Sequence, residues 1–408
     1  MVQSFFQGPA TLTNINQDQR VIDMQGEIPY KAPRITPFLF CGMKPTMAYG
    51  NNEQGARSIT FKVRTVHNTT FKWLENELRE FTTLANGAFI STDVWITVDN
   101  INIFQVGDLV KVVATDEVLR VDEIDTTLLK FKATRSWGPT AAGAIADNGT
   151  LQIIGNVSAE NSRSRSGNDV IPVTKENYIQ TSETTFDGSE KSQQTDLYGI
   201  KDYRAYRRST KYIEHLYNIE SSLIFGEPNG TGVEYNGSSQ ELSTGGFLYN
   251  ATENVFDVDG ALTKADFEDW LGDVFDHGSD EKFLFCGKRV SKAISKMAGD
   301  NSSAPVSSVF VQNLAKEFGV KIRTYHSDNG VVHVIRHGML KGDVYGGYGL
   351  MVDPAHMKIC RLKNGSWFQL RTDIQENDRK GWKDQYLTDF GFQLELPSYH
   401  GVITGVEG

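Results

Sequence analysis

The sequence predicts an α+β fold that carries a small inserted all-β domain, and three observations lead there. One long helix is bounded by a capping aspartate and a Gly/Pro stop within 195–228. Alternating helix and strand patterns follow it through residue 350, and strands close the chain at 351–408. A group of short apolar runs at 87–155 differs from both flanks and reads as an insertion. At 408 residues the chain exceeds the size at which one hydrophobic core stops growing, so two or three domains are expected.

Residues 1–35 carry scattered apolar positions, including Phe5, Phe6, Leu12, Val21 and Ile28, with neither helical nor strand period. Pro9, Pro29 and Pro33 break any regular element there. Such a segment cannot bury its own apolar groups. It lies either along the rest of this chain or along a neighbour.

The segment 36–86 starts the body of the protein. Within it, residues 57–66 alternate as a strand, and Phe71 to Arg79 turn to helical spacing. Five strand-like runs then follow at 87–155: 94–98, 109–113, 118–124, 128–131 and 151–154, separated by turns such as Val106-Gly107-Asp108. Their spacing predicts a small barrel or sandwich. From 156 to 194 the composition shifts to Ser, Asn, Arg, Thr and Gly, and weak alternation there predicts a long projecting hairpin (about 157–192).

The long helix is expected to start at an Asp196 N-cap and stop at Gly226 and Pro228, about 45 Å at 1.5 Å per residue. Ile200, Tyr203, Tyr206, Ile213, Leu216, Ile219, Leu223 and Ile224 form its apolar side. In 229–350, Thr263 and Asp266 mark a capped helix, 282–286 a strand, 290–298 and 310–318 helices, and 331–335 a buried strand. Strands at 357–362, 367–370 and 390–396 complete the chain.

Composition narrows the function. Hydrophobic residues at 39% and charged residues at 23% are ordinary for a globular protein, which excludes disorder throughout. A net charge of −10 argues against a dedicated nucleic-acid binder. Cys41, Cys286 and Cys360, odd in number and far apart, read as reduced, buried small hydrophobes. The N-terminal run has neither a basic n-region nor an apolar h-region, so no signal peptide is expected, and no apolar run is long enough for a membrane helix.

The candidate sites mostly dissolve. His333 and His337 sit four apart on a strand, about 13 Å along its axis, too far to share one metal ion. Asp257 to Thr263 starts like a calcium loop but misplaces its glycine, and reads as a turn into the capped helix. The acids Asp266, Glu268, Asp269, Asp273 and Asp276 form the solvated face of that helix rather than paired catalytic carboxylates. Glycine-rich runs lack the phosphate-loop lysine, and no nucleophile elbow occurs. No catalytic, cofactor or metal residue is therefore assigned.

One pattern survives. Lys201, Arg204, Arg208 and Lys211 recur along one face of the long helix. They either pair with acids such as Asp202 and Glu214 or face phosphate or an acidic neighbour. Arg163 and Arg165, in the polar segment, are similar candidates for contacts between subunits, together with Phe5 and Phe6 of the arm.

Several segments carry a likeness to a known family: Phe71 to Leu78, Ile153-Ile154-Gly155-Asn156, Tyr178 to Ser182, and Tyr212 to Glu220 through Phe225-Gly226. With the order arm, polar loop, long helix, α+β domain and closing strands, the chain resembles a tailed-bacteriophage major capsid protein of the Hong Kong 97 type. The resemblance implies an N-arm (1–35), a peripheral domain and extended loop (36–86 and 156–194), a spine helix (195–228), an axial domain (229–350) and peripheral strands (351–408). It implies a non-enzymatic shell subunit without cofactors, assembled in the host cytoplasm into hexamers and pentamers of a virion capsid around double-stranded DNA. Portal, scaffolding and decoration proteins are its further partners, and the basic stripe would face the lumen. A tail or baseplate protein, an encapsulating compartment shell and a polysaccharide-acting hydrolase are the competing readings.

Overall fold

A computed structural model describes residues 48–49, 57–58, 62–76, 78–160, 164–165, 167, 169–195, 197, 200, 202–230, 234–235, 239–299 and 322–407. The arm at 1–35, with Phe5 and Phe6, and the helix expected at 310–318 lie outside these residues, as do Cys41, Arg163 and Lys201. The chain divides into two compact units, one of residues 1–72 and 176–408, the other of residues 73–175.

In the first unit the main-sheet strand β1 (Lys62–Val66) follows a short antiparallel pair of 48–49 with 57–58, and the chain enters the second unit along β2 (Thr70–Glu75). The helical spacing expected for Phe71 to Arg79 is not what forms. In β2 Phe71, Trp73 and Glu75 are buried while Lys72 and Leu74 are exposed, the alternation of a strand. The Trp73 indole N–H donates to Glu75 Oε1 at 2.7 Å, so the buried acid on that face is satisfied.

The second unit holds one antiparallel six-stranded sheet. Its strands are β3 (Thr82–Leu84), β4 (Trp95–Thr97), β5 (Asp108–Val112), β6 (Val118–Asp125), β7 (Lys130–Thr134) and β8 (Thr150–Asn156). The order across the sheet is β3-β8-β5-β6-β7-β4. The inserted domain thus begins before residue 87, because Thr82–Leu84 pairs with Thr150–Gln152 and adds a sixth strand. Leu128 and Leu129, expected in a strand, form an exposed turn ahead of β7. Ile96, Val110, Leu119, Val121, Phe131 and Leu151 are fully buried, and Phe104 packs on Phe131 with ring centroids 4.8 Å apart. Beside this core Glu117 accepts hydrogen bonds from Arg135 Nε and Nη2, both at 2.8 Å, and from the N–H groups of Ser136 and Gly143. Burial works to raise the Glu117 carboxyl, but these donors outweigh it and hold the group below its ordinary value.

The chain returns along β9 (Val173–Tyr178), which pairs with β2, and runs straight into β10 (Gln180–Gly188). The projecting hairpin expected at about 157–192 is therefore cut short. β10 lies at the edge of a main sheet, in register from Gln180 opposite Phe390 to Gly188 opposite Trp382.

The long helix follows as α1 (Tyr203–Phe225). It starts at an Asp202 N-cap, whose side chain accepts the Ala205 N–H, not at Asp196, and its 23 residues span about 34 Å. Next come β11 (Val255–Gly260), α2 (Lys264–Phe275), β12 (Glu281–Cys286), α3 (Lys288–Gly299), β13 (Ile322–His326), β14 (Val331–Arg336) and β15 (Gly349–Val352). The Asp257 segment is a strand rather than a turn, paired in parallel with the closing strand from Val255 opposite Val402. Thr263 caps α2 as its sequence implies, accepting the Asp266 N–H. Last are β16 (Met357–Leu362), β17 (Gln369–Arg371), β18 (Trp382–Leu394) and β19 (Gly401–Val406).

These strands make two sheets, one ordered β11-β19-β15-β12-β14-β13 and one ordered β10-β18-β16-β1 with β17 also on β18. Strand alternation gives the first sheet two different faces. Phe283, Phe285, Ile335, Leu350, Val352 and Val402 share one core with Ile219, Leu223 and Ile224 of α1. That same core takes in Met357, Ile359, Phe390, Phe392 and Leu394 of the second sheet. On the other face Leu284, Cys286, Val332, Val334 and Ile403 pack against α2 and α3. Cys286 and Cys360 are buried thiols, and burial pushes Cys360 up to about 12.

Replacing Glu117 by Ala would leave Arg135, 7% exposed, without its counter-charge, at a cost of about 3–5 kcal/mol. Hydrogen exchange should then show lost protection across 82–156 with β12 unchanged; unchanged protection in β5 to β8 would contradict this.

Candidate assembly site

Two arginines of the basic stripe converge on one carboxylate. The alternating burial of β18 places Trp382, Asp384, Tyr386, Thr388 and Phe390 on its inner face. Asp384 is thus a fully buried acid on an otherwise largely apolar strand face. Arg204 donates to it through Nη2 at 2.5 Å and Nε at 2.9 Å, and Arg208 through Nε at 2.9 Å. Arg204 also reaches Asp373 at 2.7 Å and lies over the Trp382 ring at 5.2 Å. Burial alone would raise the Asp384 carboxyl, but hydrogen bonds from Arg204, the Asp373 N–H and Arg208 prevail and lower it. The Asp384 hydrogen bond raises the Arg204 guanidinium above its ordinary value against the opposing effect of burial.

This changes the reading of the stripe. Arg204, 16% exposed, is used to fasten the helix to its own sheet rather than turned outward to phosphate. Lys211 pairs with Glu214 at 2.5 Å, the local pairing that the sequence allowed. Arg165 likewise pairs within its own unit, where Asp108 accepts from it at 2.6 Å and from Arg79 at 3.1 Å.

Below the arginines the same seam continues with polar side chains inside the helix's buried face. His215 is fully buried, its Nδ1 3.0 Å from Thr184 Oγ1 and its Nε2 2.8 Å from Thr388 Oγ1. Burial lowers it to about 4, so the ring is neutral at pH 7. One turn further on, Glu220 meets His337 at 2.6 Å with both side chains fully buried. The Met339 N–H donates to His337 Nδ1 at 3.1 Å, which leaves the Nε2–H to donate to Glu220. His333 sits apart, stacked on Phe283 with centroids 4.9 Å away. Among the described residues no group of three His, Cys, Asp or Glu side chains is placed to hold a metal ion, and no helix is long and apolar enough to cross a membrane.

The sequence reading missed Asp384, His215 and Glu220 as one seam. The signal was present in β18, where an aspartate occupies an apolar position and must find buried cations. The identity of those cations is not local information, since Arg204 lies 180 residues away.

A family model described as the SU10 major capsid protein matches residues 8–407. The chain belongs to the SU10 major capsid protein family. It is a capsid shell protein, built here as an α+β chain with one long helix and two main sheets in its first unit. Membership assigns it a structural role and a place in the virion shell as a homo-oligomer. No curated protein matches the chain. Among solved structures it is similar to the capsid of cyanophage P-SCSP1u, at 9% identity and a TM-score of 0.47 over 98% of this chain and 97% of that one. It is also similar to a Microbacterium phage Oxtober96 chain (10% identity, TM-score 0.44, covering 85% and 89%). The holo-SrpI encapsulin of Synechococcus elongatus PCC 7942 is a third (14% identity, TM-score 0.42, covering 59% and 78%).

In this capsid protein the folded His215 accepts a proton only near pH 4, against 6.5 for an ordinary histidine. The unfolded chain therefore binds more protons between those values, and stability falls as the pH drops through that window. Between pH 7 and pH 5 the loss amounts to about 2 kcal/mol from this residue. Denaturant midpoints at the two pH values should show it, and His215→Gln should remove most of that difference. Asp384→Ala should cost about 3–5 kcal/mol at pH 7 by stranding two cations; a change within 0.5 kcal/mol would mean that the pair holds nothing.

Proposed function

We propose that this capsid protein assembles as hexamers and pentamers of a closed icosahedral shell enclosing double-stranded DNA, built in the host cytoplasm with portal, scaffolding and decoration proteins as partners. The observation that carries this reading is the family match over 8–407. The side chains left exposed support it. In the second unit Leu78 and Ile171 are each 84% exposed and Leu74 69%, large apolar surfaces that a neighbouring subunit would cover. The arm at 1–35 and the polar segment 157–172 ahead of β9 are the segments proposed to overlap neighbours, with Phe5, Phe6 and Arg163 as contacts. Many modest interfaces then become stable through effective concentration.

Expression of the full chain, with sizing and negative-stain electron microscopy, should show closed particles tens of nanometres across. Leu78→Asp with Ile171→Asp should lower their yield at least tenfold while the unassembled protein keeps its circular dichroism. A folded wild-type monomer that never assembles, even with the other shell proteins supplied, would reject the reading. Nucleic acid inside particles purified from infected cells separates a genome shell from a compartment shell.

A further inference from the structure

The second face of the first sheet carries two helices whose exposed sides have opposite charge. α3 contains Lys288, Arg289, Lys292 and Lys296 and no acidic residue. Val290 and Ile294 face the core, while Lys288, Lys292 and Lys296, spaced four apart, are exposed on the opposite side. Arg289 pairs with Asp343 at 3.1 Å, whereas among the described residues the three lysines meet no carboxylate. α2 is the reverse. Phe267, Trp270, Leu271 and Val274 are buried, and Asp266, Asp269, Asp273 and Asp276 line the exposed side. Asp266 bonds Thr263 at the helix start; the other three pair with no cation among the described residues. Three lysines eight residues apart end to end cover about 12 Å, and Asp269 to Asp276 about 10 Å, so the two rows match in length.

We propose that the lysine row of α3 docks against the aspartate row of α2 on the next copy of this chain, and that this head-to-tail contact sets the ring of a capsomer. The inference rests on the shell reading and deepens it. A contact between two different patches of identical chains propagates in one direction and closes into a ring where the rotation allows. Each exposed ion pair is weak, but around a ring every subunit makes the contact twice and the pairs act together. Packaged DNA is the competing occupant of the lysine row. It is disfavoured because both helices pack on one face of one sheet, so a polyanion approaching the lysines meets the aspartates of the same layer.

The test reverses charge in full-length protein. Lys288→Glu, Lys292→Glu and Lys296→Glu together, or Asp269→Lys, Asp273→Lys and Asp276→Lys together, should each lower particle yield at least tenfold with unchanged circular dichroism. All six changes in one chain should restore particles to within threefold of the unaltered protein, which a general loss of folding would not do. Mixing the two triply changed chains in equal amounts should give hexameric rings or tubes without pentamers, since alternating chains close only even-membered rings. Normal assembly of either triple variant would overturn the inference while leaving the shell reading intact. Particles of normal yield but depleted of DNA from the lysine variant would also overturn it and give the row to nucleic acid. Absence of particles from the unaltered chain would reject the shell reading, and this contact with it.

Discussion

A carboxylate buried on the inner face of a strand must be paired, and Asp384 is the group on which the seam between the long helix and its sheet depends. Leaving such a charge without partners costs several kcal/mol, so the sequence that places aspartate there also has to deliver cations from elsewhere. Arg204 and Arg208, one helical turn apart, deliver them together. That pairing sets which face of α1 lies against β18, and with it which helix residues go inward. His215 and Glu220 then fall on the buried side, where Thr184, Thr388 and His337 satisfy them.

Below this polar part the helix becomes apolar and takes on a different task. Ile219, Leu223 and Ile224 enter one core shared by both sheets of the first unit, so a single helix ties the sheets together. The division of labour has a physical reason. Apolar packing is non-directional and tolerates sliding, whereas the bidentate arginine contact and the His–Glu contact demand particular positions along the helix. For a subunit that must fit many neighbours in one geometry, a helix that cannot slide along its sheet is a useful constraint.

The extended strands and the insertion show where reading along the chain went astray. Phe71 to Arg79 holds apolar residues at spacings compatible with helix, but β9 supplies a partner strand about a hundred residues later and the segment alternates instead. Thr82–Leu84 has too few residues to announce a strand, yet it becomes one by pairing with β8. β10 looked like one arm of a projecting hairpin because its exposed residues are polar, while its pairing with β18 depends on a strand two hundred positions away. In each case the decisive hydrogen-bond partner is remote, and local pattern cannot report it.

By itself the sequence determined the α+β class, the presence and C-terminal stop of the long helix, the capped helix at Thr263, the β-rich insertion and the shell-forming family. Each follows from local periodicity, from caps and stops, or from the order of segments. Tertiary structure alone decided that the helix starts at Asp202 and that Arg204 and Arg208 both pair with Asp384. It also placed α2 and α3 on one face of one sheet, so that an acidic and a basic row share a single layer. The physical reason is the same throughout. Charge and period are properties of a segment, but whether a charge is neutralised depends on what the fold brings within 3 Å of it.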